Sequence, residues 1–182
     1  MRRPDKVAIF IDGGFLRAIL RDYFNKERID FLKLSDELSQ GCERFRTYYY
    51  ISPPYQSQAP TPEERKRVSD MDRFLYNLRQ FPRFEVRLGK LRKTNDHRKP
   101  FEQKGVDVLL SIDLVQLSVK GSIDQAILVT GDSDFCPAVR VAKDNQMVVK
   151  LLTYPSMCSD ELFSLCDERV MIDNDLINKI KL

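Results

Sequence analysis

The first apolar run of the chain ends in the stretch Val7-Ala8-Ile9-Phe10-Ile11-Asp12-Gly13-Gly14. Five consecutive apolar residues are typical of a strand that is buried on both faces. The two glycines favour a tight turn. Beyond them apolar residues recur at helical spacing, at Phe15, Ile19, Leu20 and Phe24. The stretch therefore predicts a strand, a turn and a helix, with Asp12 at the carboxyl end of the strand.

Similar apolar runs alternate with helical patterns along the rest of the chain. Further strands are predicted over 45–51, 84–91, 126–129, 147–153 and 170–172. Helices are predicted after a Thr61 cap and over 108–119, 134–145 and 160–166, with a helical or frayed tail from Asn174. Repeated strand–helix units indicate a Rossmann-like α/β fold: a three-layer sandwich around a mostly parallel sheet of five or six strands. The apolar helix over 108–119 is expected to pack tightly, because it leaves little polar surface.

Length and composition exclude several classes of protein. The 182 residues suit one compact domain, 1–182, and the 42% hydrophobic and 31% charged residues are ordinary for a globular chain. The early apolar run is too short for a membrane span or a secretory signal, so we expect a cytoplasmic protein. The four cysteines form no CxxC pair and His97 is the one histidine, which argues against zinc and for reduced thiols.

The net charge of +3 is unevenly distributed. Residues 83–104 contain eight Lys/Arg against three Asp/Glu, so the rest of the chain carries a net negative charge. A solvated loop over 92–105 could have this composition. A concentrated positive segment is also what attracts a phosphate backbone.

Several aspartates follow predicted strands. Asp12 ends the first strand, and Asp132 and Asp134 follow the strand over 126–129 in the sequence Thr130-Gly131-Asp132-Ser133-Asp134-Phe135. Asp107 begins the apolar helix. Ligands of open parallel sheets bind outside the carboxyl ends of the strands, so these four carboxylates are expected to converge.

Clustered carboxylates repel one another unless a cation compensates their charge. An all-oxygen site without His or Cys favours a hard ion, Mg²⁺ or Mn²⁺, over zinc. Such an ion can activate water and neutralise a phosphate under attack, which is phosphodiester hydrolysis in outline.

Each acid also has a purely structural interpretation. Asp134 or Ser133 could cap the following helix, Asp107 could complement a helix dipole, and Asp12 could be a turn residue. Asp113 lies six residues after Asp107, about 120° around the helix, so the two cannot both point straight at one ion. We therefore expect Asp113 to support the site from behind.

These segments resemble the NYN domain family, in particular its LabA-like branch within the PIN-like nucleases. The resemblance is carried by residues 7–14, by Lys104-Gly105-Val106-Asp107-Val108 with Asp113-Leu114 after it, and by 127–135. It implies an acidic metal site and RNase activity at Asp12, Asp107, Asp132 and Asp134. Many relatives carry Asp-Gly-x-Asn at the first aspartate, whereas this chain has Phe15, an aromatic residue familiar in the LabA-like branch. An amide that would orient water or phosphate is therefore missing.

The resulting hypothesis is an endoribonuclease that attacks RNA in line and leaves a 5′-phosphate. Lys104 would contact phosphate, and His97 or Phe101 could stack on a base. The RNA backbone would follow the basic residues Arg92, Lys93, Arg98 and Lys99. A homodimer or a protein partner is also compatible with the sequence.

Two other functions are compatible with the sequence. A catalytically weak or inactive domain of the same fold could bind RNA or protein as a regulatory module. A haloacid-dehalogenase-type phosphatase also places an aspartate after its first strand. That chemistry needs a second acid two residues later, where this chain has Gly14.

Overall fold

The computed structural model describes residues 4–93 and 101–182. In chain order the strands are β1 (Lys6–Asp12), β2 (Glu43–Ile51), β3 (Phe84–Leu88), β4 (Lys90–Lys93), β5 (Phe101–Lys104), β6 (Gln125–Val129), β7 (Val148–Thr153) and β8 (Glu168–Met171). Six of them form one sheet in the order β3-β2-β1-β6-β7-β8, and every neighbouring pair is parallel. The predicted parallel sheet is confirmed.

Helices cover both faces of this sheet. They are α1 (Gly13–Tyr23), α2 (Phe31–Leu38), α3 (Pro62–Gln80), α4 (Val106–Val119), α5 (Cys136–Asp144), α6 (Asp160–Leu165) and α7 (Asn174–Ile180). One core contains residues of α1, α2, α3 and α7, and the other contains residues of α4, α5 and α6. The three-layer α/β sandwich predicted from the sequence is therefore confirmed.

Strand β1 supplies residues to both cores. Val7, Ile9 and Ile11 belong to the first core, while Ala8 and Phe10 belong to the second. All five are fully buried, because successive side chains of a strand point to opposite faces. Asp12 continues the alternation on the α4 face, at the carboxyl end of the strand.

Local signals set the ends of several helices. The predicted Thr61 cap of α3 is a capping box: its hydroxyl accepts a hydrogen bond from the Glu64 backbone N–H at 3.2 Å, and the Glu64 carboxylate accepts one from the Thr61 N–H at 3.2 Å. The tail from Asn174 is helical, as α7. The four cysteines are free, and Cys136 and Cys166 are buried, as the sequence predicts.

Helix α2 was not predicted. Asp30 caps it, with Oδ1 accepting the N–H groups of Leu32 at 2.8 Å and Lys33 at 3.1 Å. Phe31 and Leu34 then bury one face. The eight-residue helix offers too few turns for its periodicity to stand out from a loop, although the capping aspartate was a usable signal.

The strand prediction over 84–91 and the loop prediction over 92–105 were wrong in detail. The central-sheet strand ends at Leu88, and β4 then pairs antiparallel with β5, with Lys90 opposite Lys104 and Lys93 opposite Phe101. The basic segment therefore contains a two-stranded ribbon, which its polar composition concealed.

Helix α4 packs against the sheet as expected, but only one side of it does so. Leu110 and Leu114 are fully buried against the sheet, but the outward residues Val108, Ile112 and Val119 are 60%, 56% and 64% exposed. Apolar residues on every side gave no clue to which side would face the sheet.

Within residues 4–93 and 101–182, no helix combines the length and the apolar character that crossing a membrane requires.

Candidate acidic site at the ends of strands β1 and β6

A solvent-open cavity of about 420 Å³ lies where the strand order reverses, between β1 and β6. This position is the expected ligand site of an open parallel sheet, because the loops that leave the two central strands diverge there. The cavity is lined by Asp12, Gly14, Phe15, Asp107, Thr130, Gly131, Asp132 and Met157. Three of the four aspartates predicted from the sequence therefore share one cavity.

Asp12 is both the cap of α1 and a largely buried acid. Its Oδ1 accepts hydrogen bonds from the backbone N–H groups of Gly14 at 2.9 Å and Phe15 at 3.1 Å. These bonds favour the carboxylate, but burial outweighs them, and the charges of Asp107 and Asp132 add to the effect of burial. Together they raise the pKa of Asp12 from 3.8 to about 6. Asp12 thus carries an electrostatic cost that its capping role alone does not explain.

Asp132 follows β6 and caps the short 3₁₀ turn Ser133–Phe135, which leads into α5. Its Oδ1 accepts the Asp134 N–H at 2.9 Å. Helix α5 itself has no side-chain cap, so neither Ser133 nor Asp134 has the capping role that the sequence allowed. Asp134 is exposed and is not among the cavity-lining residues, although its charge acts on Asp107.

Asp107 reaches the cavity from α4. Gly105 begins this helix with a φ of 87°, a left-handed conformation that favours glycine, and no side chain caps it. Asp107 therefore lies in the first turn with an exposed side chain. Burial, followed by the charges of Asp132 and Asp134, raises its pKa above the ordinary value. The charges of Asp132 and Asp134 thus act on Asp107, and the charge of Asp107 acts on Asp12.

A close contact between loops forms one wall of the cavity. A Cβ atom at Gly131 would lie 1.8 Å from the Met157 carbonyl oxygen and 2.8 Å from Cε2 of Phe15. The Gly131 carbonyl also accepts the Ser159 N–H at 2.9 Å. Glycine is required here because the loop after β7 lies directly against the loop after β6. Phe15 forms part of this wall.

The acids do not form a closed coordination shell. In the described ranges, no three His, Cys, Asp or Glu side chains lie close enough together to ligate one ion directly. The cavity has the all-oxygen donors that Mg²⁺ and Mn²⁺ prefer, and mutual repulsion that a cation would relieve. The donor chemistry therefore fits a hard cation, while the ligand set remains a prediction.

Asp113 lies outside this cavity. Its Oδ2 accepts the Tyr50 hydroxyl at 2.8 Å and the Arg87 Nε–H at 3.1 Å. Tyr50 and Arg87 had not been singled out from the sequence, where they read as ordinary strand residues. The alternation of β2 could have indicated that Tyr50 shares a sheet face with Asp12, but it could not indicate the contact with α4.

The basic residues predicted to bind RNA are only partly covered by the structure. Arg92 and Lys93 lie in β4, and Lys104 and Phe101 lie in β5; the backbone of these strands is described, but their side chains are not. His97, Arg98 and Lys99 fall outside the described residues. Their predicted roles therefore stay predictions.

The all-parallel six-stranded sheet, with acids at its switch point, defines a Rossmann-like α/β protein of the PIN-like type. The profile of the NYN domain matches residues 6–173, so the chain belongs to the NYN domain family. This family is nuclease-like, which supports a hydrolase. No curated protein matches the chain.

One solved structure supports the fold. A protein of unknown function from Vibrio parahaemolyticus is similar over 100% of this chain and 99% of its own, with 21% identity and a TM-score of 0.68. MurG from Acinetobacter baumannii is similar over 94% of this chain and 42% of its own, with 11% identity and a TM-score of 0.43, too low to support any functional argument.

Proposed function

We propose that this chain is a metal-dependent endoribonuclease of the LabA-like branch, which acts as a single domain over 1–182 and hydrolyses RNA phosphodiester bonds with Mg²⁺ or Mn²⁺. The observation that carries the proposal is that Asp12, Asp107 and Asp132 line one open cavity at the switch point of the sheet. The raised pKa of Asp12 supports it, because a largely buried acid beside two other acids is unfavourable for the fold alone and is useful where a cation binds.

Because no three His, Cys, Asp or Glu side chains of the described residues could ligate one ion directly, the ion in this proposal keeps much of its water. Mg²⁺ loses water reluctantly and is commonly held by one or two carboxylates, with waters and substrate phosphate oxygens completing the shell. Asp12, Asp107 and Asp132 would hold the ion in this way, and Asp134, whose charge acts on Asp107, would be the fourth acid that the resemblance implies. A bound ion would lower the pKa of a water attached to it and would neutralise charge on the phosphate.

The protein groups have distinct tasks in this proposal. Asp12 uses Oδ1 to cap α1, which would leave Oδ2 as the oxygen that binds the ion. Asp132 likewise uses Oδ1 for the Asp134 N–H, which fixes the orientation of its carboxylate. Lys104 would contact the phosphate, as predicted from the sequence. The basic ribbon of β4 and β5 directly precedes α4, so its chain leads to Asp107.

The reaction is attack by water on the phosphorus, in line with the departing 3′ oxygen, to give a 5′-phosphate. The open cavity admits a phosphodiester of a continuous strand without requiring a chain end, which favours endonucleolytic cleavage.

The test is cleavage of labelled RNA by the purified protein. Single-stranded and structured RNA are incubated with Mg²⁺ or Mn²⁺, and with EDTA. We expect metal-dependent cleavage that disappears in Asp12→Asn and Asp132→Asn. Asp30→Asn is the matched control, because Asp30 also caps a helix through two backbone N–H groups but lies outside the cavity. Equal cleavage by all four proteins would mean contamination and would overturn the proposal.

A second candidate is a regulatory module that binds RNA or protein without cleaving it. Among the described residues no three His, Cys, Asp or Glu side chains lie close enough to ligate one ion directly, which favours this candidate, as does Phe15 in place of asparagine. RNA binding in EDTA without turnover in either metal would support this candidate.

A further inference from the structure

A polar cluster joins helix α4 to the central sheet, and we name it the α4 anchor: Asp113, Tyr50 and Arg87. Asp113 Oδ2 accepts the Tyr50 hydroxyl from β2 at 2.8 Å and the Arg87 Nε–H from β3 at 3.1 Å. The Asp113 side chain is 16% exposed. One carboxylate oxygen therefore joins α4 to two strands.

The anchor is itself held in place by charge. Arg87 Nη1 pairs with Glu85 Oε2 at 3.1 Å, and Glu85 also pairs with Arg46. The Arg87 guanidinium lies 5.5 Å from the centre of the Tyr48 ring. Burial and the Asp113 carboxylate raise the pKa of Tyr50 far above its ordinary value, so its hydroxyl stays protonated as a donor. Arg87 thus contacts Glu85 and the Tyr48 ring as well as Asp113.

Apolar packing alone defines the rotation of α4 poorly. Leu110 and Leu114 face the sheet, but the outer side also carries apolar residues, Val108, Ile112 and Val119. The two sides of the helix therefore differ little in apolar character, so burial alone distinguishes them weakly. Directional hydrogen bonds can select one rotation of the helix where buried apolar area does not, as buried polar groups do in coiled coils.

The rotation of α4 decides where Asp107 points. Asp107 lies six residues before Asp113, about 9 Å along the same helix. On the sheet side, Tyr50 is the register partner of Asp12 in the parallel pair of β1 and β2. The anchor therefore connects the strand neighbour of Asp12 to the helix that carries Asp107.

We propose that the α4 anchor positions Asp107 against Asp12 and Asp132, and that Tyr50 and Arg87 are positioning residues of the acidic site. This inference rests on the proposed metal-dependent activity. None of the three anchor side chains lines the cavity, so they act through α4 and not on the substrate.

The test compares Tyr50→Phe with Tyr48→Phe. Both variants lose one hydroxyl from the same strand and the same sheet face, but the Tyr48 hydroxyl is not bonded to Asp113. The measurements are Mn²⁺ affinity by calorimetry, kcat and KM for RNA, thermal unfolding, and amide hydrogen exchange over residues 105–110. Loss of a residue that orients metal ligands typically lowers affinity or activity by about ten- to a hundred-fold.

We expect Tyr50→Phe to weaken Mn²⁺ binding and to lower kcat by at least about ten-fold. KM should change little, and exchange over 105–110 should become faster. Tyr48→Phe should match the unmutated protein. Asp113→Asn, which keeps an acceptor for Tyr50, should retain more activity than Asp113→Ala.

Two results would overturn the inference while leaving the proposed function intact. In the first, the unmutated protein binds Mn²⁺ and cleaves RNA, and the Tyr50→Phe variant has the same Mn²⁺ affinity and the same kcat. The other is a loss of activity that follows only the loss of folded protein. If the unmutated protein neither binds Mn²⁺ nor cleaves RNA, the proposed function fails first, and hydrogen exchange still shows whether the anchor fixes α4.

Discussion

Replacing Asp12 by Asn should stabilise the metal-free protein while abolishing its activity. Raising the pKa of Asp12 from 3.8 to about 6 makes its ionisation in the folded state up to about 3 kcal/mol less favourable, at about 1.4 kcal/mol per pKa unit. Asparagine removes the charge and keeps an oxygen for the Gly14 and Phe15 N–H groups. For a chain of this length, a gain of that size raises Tm by about 6–12 °C.

The pH dependence has a definite sign. Because the folded-state pKa of Asp12 is raised, the folded protein binds more protons than the unfolded chain between about pH 4 and pH 6. The stability of the metal-free protein should therefore fall as pH rises through this window. Above about pH 6 the destabilisation by ionised Asp12 should be complete. The Asp12→Asn variant should not show this contribution to the pH-dependent loss of stability.

The assay is thermal unfolding followed by circular dichroism in EDTA, at pH 4.5 and pH 7.5. Asp30→Asn is the control, because it changes a helix-capping aspartate of the same geometry outside the cavity. A gain in Tm for Asp12→Asn that is no larger than the change in Asp30→Asn would refute the electrostatic argument. So would a gain of equal size at both pH values.

Three further outcomes are expected. Adding Mn²⁺ at pH 7.5 should raise the Tm of the unmutated protein more than that of Asp12→Asn, since the cation offsets the repulsion that the variant lacks; equal shifts would contradict this. Gly131→Ala should lower stability by about 1–3 kcal/mol and stop cleavage, because the new Cβ meets the Met157 carbonyl, whereas normal melting and cleavage would show that the loop contact is dispensable. Thr61→Ala should remove the capping box of α3 and lower stability by about 1 kcal/mol with cleavage unchanged, and a loss of activity at full folding would be unexpected.

The sequence predicted the sheet well because its strands carry strong local signals. The run Val7 to Ile11 is apolar on both faces, and it forms the centre of the sheet with all five residues fully buried. Local patterns were weaker for α2, which is eight residues long, and for the ribbon of β4 and β5, whose polar residues resemble a loop.

The site was predictable in its position but not in its geometry. Asp12 and Asp132 follow adjacent parallel strands, so the topology alone brings them to one edge of the sheet. Their separation, the exposed position of Asp134 and the contact of Asp113 with Tyr50 depend on how α4 and the loops pack. Packing between elements that are distant in sequence leaves no periodic pattern to detect.

The most direct test of the central claim is the anomalous scattering of Mn²⁺ in crystals soaked with that ion. We expect a single strong peak in the cavity between the loops that carry Asp12 and Asp132, within reach of Asp107, and its loss in Asp12→Asn crystals. No peak at saturating Mn²⁺, or a peak at a site that does not include Asp12, would contradict the account.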